Sequence, residues 1–116
     1  SVVLLASVAA RRGAPGFTAY TAAKGALASA GLSAAAELAS RNIRVNTITA
    51  GIVETKLSQE WLARLSEEQR HHIEAKYPLG FGRADDVAGA AAFLLSSDGR
   101  WMTGAEILVD GGVSIL

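Results

Sequence analysis

Three short runs of strand-forming residues, set apart by stretches long enough for helices, constrain this chain more than any other feature. Val2-Val3-Leu4-Leu5-Ala6 is continuously apolar, the pattern of a strand covered on both faces. Ile43 to Thr49 carries β-branched residues at Ile43, Val45, Thr47, Ile48 and Thr49, and Gly51 breaks it. Glu106 to Asp110 is closed by Gly111-Gly112. Strands separated by helical crossovers pair in parallel, so the expected class is α/β with a parallel sheet.

The intervening residues supply the crossovers. Gly13, Pro15 and Gly16 mark residues 8–17 as a loop. Residues 18–40 are alanine-rich and free of proline, which predicts a long helix. Ser58 to Leu65 reads as a short helix, and Ser66-Glu67-Glu68-Gln69 as the capping box of another that ends before Pro78. Asp85 or Asp86 is expected to cap a last helix through about Leu95, with Val87, Ala88, Ala91, Ala92, Leu94 and Leu95 turned inward. No internal repeat or linker interrupts this order.

Composition narrows the functional classes. The chain has 116 residues, enough for one small domain, and half of them are hydrophobic. Eleven basic residues balance eleven acidic ones, so no charge excess points to nucleic acid or an anionic membrane. The absence of cysteine excludes disulfides and thiolate metal sites. No apolar run approaches a membrane span and no leader is evident, so the expected setting is cytoplasmic, without a membrane partner. The first residues already lie within an apolar run, as in a chain opened at the start of a strand.

The chemistry is concentrated near the start. Tyr20 and Lys24 are four apart and share one face of the predicted helix. An ammonium beside a phenol favours the phenolate, and so lowers a tyrosine pKa from its free value of about 10. Such a tyrosine can exchange a proton with a substrate oxygen near neutral pH. Ser7, thirteen positions before Tyr20, ends the first apolar run, where its hydroxyl could bond the same oxygen. The same helix holds Ala22, Ala23, Gly25, Ala26, Ala28, Ser29, Ala30 and Gly31. Each glycine costs about 1 kcal/mol of helix propensity relative to alanine, which implies tight packing. That packing is either against the chain's own sheet alone or also against a second subunit.

Several ordered motifs accompany this group: Leu5-Ala6-Ser7-Val8, Tyr20-Thr21-Ala22-Ala23-Lys24, Asn42-Ile43-Arg44-Val45-Asn46 and Ile52-Val53-Glu54-Thr55. Pro78-Leu79-Gly80, Asp86-Val87-Ala88 and Thr103-Gly104-Ala105-Glu106-Ile107-Leu108-Val109-Asp110-Gly111-Gly112 follow. A lone Tyr-x-x-x-Lys is a weak signal; the upstream serine and the downstream order make it specific. Over essentially all 116 residues the chain resembles the C-terminal half of a classical short-chain dehydrogenase/reductase. The resemblance implies a Rossmann-like, doubly wound parallel sheet of which this chain holds the last three strands with their crossover helices. Residues 1–116 would then be a partial domain, the catalytic half.

The resemblance also implies roles. Tyr20 would be the catalytic acid/base. Lys24 would tune it and bond the nicotinamide ribose, and Ser7 would hold the substrate oxygen. Gly51, Ile52 and Thr55 would meet NAD or NADP beside Tyr20 and Lys24, with the Ile52 main chain at the carboxamide. Ala50-Gly51 stands where the family usually has proline-glycine. Asn46 would bond main chain between strands, and residues 55–77 would form the variable substrate segment. The family's glycine-rich phosphate loop, T-G-x-x-x-G-x-G, does not occur in these residues. The implied reaction is hydride transfer between NAD(P) and a secondary alcohol or ketone. A non-catalytic fragment or assembly subunit, and lyase or epimerase chemistry, remain as alternatives. The implied partners are a small alcohol or ketone, and either further copies in a tetramer or a complementing N-terminal half.

Other residues take simpler readings. His71 and His72 are adjacent on a charged helix and read as solvated. Trp61 and Trp101 read as packing or interface residues, with a substrate platform as the alternative. Arg11 and Arg12 read as a solvated loop, with an anionic substrate as the alternative. The apolar tail Val113, Ile115 and Leu116 either reaches a partner subunit or folds back.

Overall fold

A computed structural model describes residues 1–116. Three parallel strands lie in the order β1-β2-β3: β1 at Val2–Ser7, β2 at Val45–Ala50 and β3 at Glu106–Val109. Leu4 pairs with Thr47 in β2, and Thr47 with Glu106 in β3. The long helix α1, Thr18–Leu38, connects β1 to β2. Two short helices, α2 at Lys56–Leu62 and α3 at Glu67–Glu74, precede α4 at Ala84–Leu95, which leads to β3. The parallel α/β expectation therefore holds. No helix is long and apolar enough to cross a membrane.

The helices take opposite faces of the sheet. A Cβ on Gly31 of α1 would stand 2.9 Å from Thr47 Oγ1 and 3.0 Å from Leu4 Cδ1, so α1 approaches β1 and β2 closely at this point. Any larger side chain at 31 would push the helix off the sheet. Gly25, by contrast, has open space where its Cβ would be. Side chains alternate along a strand, so Ile48 points away from α1. It is fully buried there, as is Leu94 of α4.

Two polar side chains knit the start of β2 to the segment before β3. Asn46, buried in the middle of the molecule, donates to Met102 O at 2.9 Å and accepts from Ala105 N at 3.0 Å. The Arg44 guanidinium donates to Gly99 O, Met102 O and Ser96 O, three carbonyls just beyond the end of α4. The Asn46 role implied by the resemblance, bonding main chain between strands, is what the structure contains.

Several boundaries and one helix face differ from the sequence reading. β2 begins at Val45, not Ile43, because Asn42 adopts a left-handed conformation (φ 56°) that ends the preceding helical turn. α2 begins two residues early, since Thr55 caps it: Thr55 Oγ1 accepts from Ser58 N, and Ser58 Oγ accepts from Thr55 N. α4 is capped at Arg83, whose N–H is held at 2.6 Å by Asp86 from inside the first turn; neither Asp85 nor Asp86 is the cap itself. On α4 the inward residues are Val87, Ala90, Ala91 and Leu94, while Ala88, Ala92 and Leu95 are exposed. Residues 87–95 contain no polar side chain, so nothing in the sequence marked its outer face.

Candidate functional site

The parallel strands bring Ser7 and the Gly51 turn to one end of the sheet, the end at which β1 and β2 both finish. Ser7 is the last residue of β1. Its hydroxyl accepts from Ala9 N at 3.2 Å and so caps the short 3-10 turn that follows. That bond uses one lone pair and leaves the hydroxyl proton free to donate.

Tyr20 and Lys24 sit one turn apart in α1 with their side chains adjacent: Lys24 Nζ lies 5.9 Å from the Tyr20 ring centroid. Tyr20 is 43% exposed. Lys24 Nζ donates to Leu5 O at 2.7 Å, two residues before Ser7. The direction of that carbonyl follows from the ladder. Val2 N–H bonds Arg44 O, so Val2, Leu4 and Ala6 turn their main-chain groups toward β2. Val3, Leu5 and Ser7 therefore turn theirs toward the free edge of β1. Lys24 occupies a carbonyl that a further strand would otherwise use.

The turn after β2 is tightly built. A Cβ on Gly51 would meet Asp110 Cα at 2.9 Å and the Tyr77 ring at 3.0 Å, so no larger residue fits. Ile52 N–H donates to the Tyr77 hydroxyl at 3.1 Å, and Ile52 O accepts from Gly82 N at 2.9 Å. Both main-chain groups of Ile52 are thus satisfied within the chain, whereas Val53 N–H has no partner. Thr55 Oγ1 serves as the cap of α2. A groove of about 470 Å³ runs beside this turn, bounded by Val53, Gly82, Asp86, Leu108 and Asp110; Ser7, Tyr20 and Lys24 lie outside it.

Sequence reasoning did not single out Tyr77. It is buried against Phe81, with ring centroids 5.2 Å apart in an edge-to-face pair. Burial pushes its phenol pKa up, against the Ile52 hydrogen bond; the nearby Asp110 charge adds to the rise and Arg12 opposes it. Burial would also raise Asp110, but the Gly112 and Ser114 N–H groups donate to its carboxylate and hold it below the usual range.

Arg11 and Arg12 are exposed in the loop, as expected, but each has partners far along the sequence. Arg11 forms a forked ion pair with Glu106 at the start of β3, and Thr49 donates to the same carboxylate. Burial would raise the Glu106 pKa, but the Arg11 and Thr49 hydrogen bonds and the Arg11 charge hold it below 4.5. Arg12 donates to Val113 O and Leu116 O. The tail is divided: Val113 is buried, while Ile115 and Leu116 are exposed. His71 and His72 are exposed, as expected. Trp101 is 96% exposed and packs on nothing, whereas Trp61 stacks edge-to-face on Phe17 with centroids 5.7 Å apart.

A family profile described as enoyl-(acyl carrier protein) reductase matches residues 1–114. The 2-(S)-hydroxypropyl-CoM dehydrogenase 3 of Xanthobacter autotrophicus is 40% identical over the whole of this chain, which covers 47% of that protein. The structure of a 4-hydroxyisoleucine dehydrogenase complexed with NADH superposes with a TM-score of 0.90 at 30% identity, over 98% of this chain and 46% of that one. A putative 2-deoxy-d-gluconate 3-dehydrogenase from Agrobacterium tumefaciens with bound NADP gives 0.89 at 34%, with the same coverage. The chain spans about half the length of the relatives it matches. The family profile, the identity along the whole chain and the shared Rossmann-type fold together show that the chain belongs to the short-chain dehydrogenase/reductase family.

Proposed function

We propose that these residues form the acid/base half of an NAD(P)-dependent oxidoreductase that interconverts a secondary alcohol and a ketone. The observation that carries the reading is the adjacency of Tyr20 and Lys24 on α1, with Lys24 reaching the main chain of β1 beside Ser7. In this reading the Tyr20 hydroxyl gives a proton to, or takes one from, the substrate oxygen. The free Ser7 proton donates to that oxygen and fixes it. Lys24 supplies positive charge beside the phenol as the proton moves.

The residues available for a dinucleotide suit its nicotinamide end. Tyr20, Lys24, the Gly51-Ile52 turn and Thr55 would hold it. Val53, with its free N–H, is the main-chain donor of that turn, and Ile52 contributes by shaping it. NAD(P), when bound, supplies or accepts the hydride. The choice between NAD and NADP rests on residues that this sequence does not contain.

A strand paired on the free edge of β1 would take the Leu5 carbonyl into its ladder and return Lys24 to Tyr20 and the ribose. Assembly with the rest of the protein then completes the site. A cytoplasmic tetramer with a small alcohol or ketone as substrate accords with the family resemblance. The fragment, epimerase and lyase alternatives gain no specific support.

The test is Tyr20→Phe in the whole protein carrying these residues. It removes the proton carrier and keeps the ring. We expect kcat to fall by at least about 10²–10⁴-fold. Near-parental turnover of an alcohol substrate by this variant would refute the assignment.

A further inference from the structure

Phe17 occupies an unusual place. It is the N-cap residue of α1, where serine, threonine, aspartate or asparagine would bond the free N–H groups of the first turn. Phe17 makes no such bond. Its ring instead stands between two others: 6.1 Å from the Tyr20 ring at 82°, and 5.7 Å from the Trp61 ring at 87°. Both are edge-to-face arrangements, the favourable geometry for aromatic pairs.

Trp61 belongs to α2, a seven-residue helix that buries Leu62 and leaves Trp61 only partly covered. Its remaining residues are mostly polar, but Leu57 lies one turn before Trp61 on the same face and is 75% exposed. Leu57, Trp61 and Phe17 therefore form an apolar strip that ends at Tyr20. The strip carries no charged side chain, and its rings are only partly covered.

We propose that Phe17 is a positioning residue: through Trp61 it seats α2 beside Tyr20, so that the strip receives a flat apolar substituent of the substrate carbonyl compound. This rests on the reading of Tyr20 as the group that meets the substrate oxygen. It adds which part of the substrate is selected and which residues select it. A polar or charged substituent at that position would lose its hydration against the rings without gaining a partner.

The test uses the whole protein labelled with 5-fluorotryptophan, with the Trp61 resonance assigned through Trp61→Phe, and acetophenone and acetone as probes. Acetophenone should shift the Trp61 resonance saturably, and acetone should not. Phe17→Leu should move the resonance of the free protein and weaken acetophenone about tenfold, while Phe17→Tyr, which keeps the ring, should restore both. If Phe17→Leu proves unstable to heating, Leu57→Ser at the solvent end of the strip must still weaken acetophenone. A Trp61 resonance indifferent to acetophenone, or equal weakening by Phe17→Leu and Phe17→Tyr, overturns the proposal. These readouts do not depend on proton transfer. Full turnover by Tyr20→Phe would therefore overturn the acid/base reading, and the NMR result would separately decide the strip.

Discussion

Asn46 shows how one buried side chain can hold a strand to the distant segment that leads into its neighbour. Its amide satisfies Met102 O and Ala105 N, both brought to the start of β2 from more than 50 residues away in sequence. Met102 O is also reached by Arg44, so removing Asn46 leaves one group stranded, the Ala105 N–H. We expect Asn46→Leu, nearly isosteric, to cost about 1–3 kcal/mol, the penalty of one buried unpaired donor. Adding Arg44→Met should cost more than the sum of the two single changes, because it also strips Met102 O. Urea unfolding of the four proteins in the cycle measures both; strict additivity would refute the shared-carbonyl argument. The candidate site divides along similar lines. Ser7, Tyr20, Lys24 and Gly51 could be named from the sequence because each stands in a spaced motif. Tyr77 and Phe17 could not, since each acts through neighbours that only folding supplies: the Ile52 N–H for one, and Trp61 for the other. A phenylalanine at a helix N-cap was the one available signal for Phe17.

At the scale of elements, the segment after β1 is fastened to β3 and the tail by its two arginines. Arg11 clasps Glu106 where β3 begins, and Arg12 clasps the tail where the chain ends. The loop beside Ser7 is thereby tied to the last strand by side chains that stay exposed, and local turn signals in residues 8–17 could not name partners so far along the sequence. The Arg11–Glu106 contribution depends on pH with a definite sign. The folded Glu106 pKa lies below its ordinary 4.5, so the pair stabilises the fold above about pH 4.5 and loses that contribution as pH falls through the lower folded value. The melting temperature of Glu106→Gln should therefore fall below the parent at neutral pH, and the two should converge in acid. A gap that stayed constant down to about pH 3 would assign the effect to packing of the side chain. The elements themselves were legible because strands and helices here follow local pattern. Their faces were less so: α1 and α4 are apolar or small on every side, and only the close approach of Gly31 to Thr47 reveals which side of α1 meets the sheet.

At the scale of the whole molecule, apolar surface left open on both layers bears on assembly. Only 13 of 116 residues are buried, and the exposed large apolar side chains include Leu32 on α1, Phe93 and Leu95 on α4, and Leu108 on β3. Large apolar side chains exposed on both layers are surface that contact with further protein would cover. The chain spans about half the length of the relatives it matches, and in a complete domain of the family part of this surface would pack against the other half. The outer side of α1 is a separate case. Gly31 packs on the sheet, so a bulky residue there would test the fold and not an interface. Ala26, Ala30 and Ser33 lie on the outward side and are exposed. Small residues spaced three and four apart allow two helices to approach closely, and a two-fold axis would use the same stripe twice. We therefore expect Ala30→Arg in the whole protein to reduce the assembled mass measured by light scattering, by half if a tetramer splits at this helix. The tail gives an independent arm. Val113 is buried in its own chain, but Ile115 and Leu116 are 82% and 71% exposed. Burying two such residues in a partner contributes about 1.5–3 kcal/mol each. Removing residues 115–116 while keeping Val113 should weaken association without lowering the unfolding temperature of the separated subunit. If both variants keep the parental mass at every dilution, the stripe and the tail face solvent in the native assembly, and the tetramer proposal falls with them.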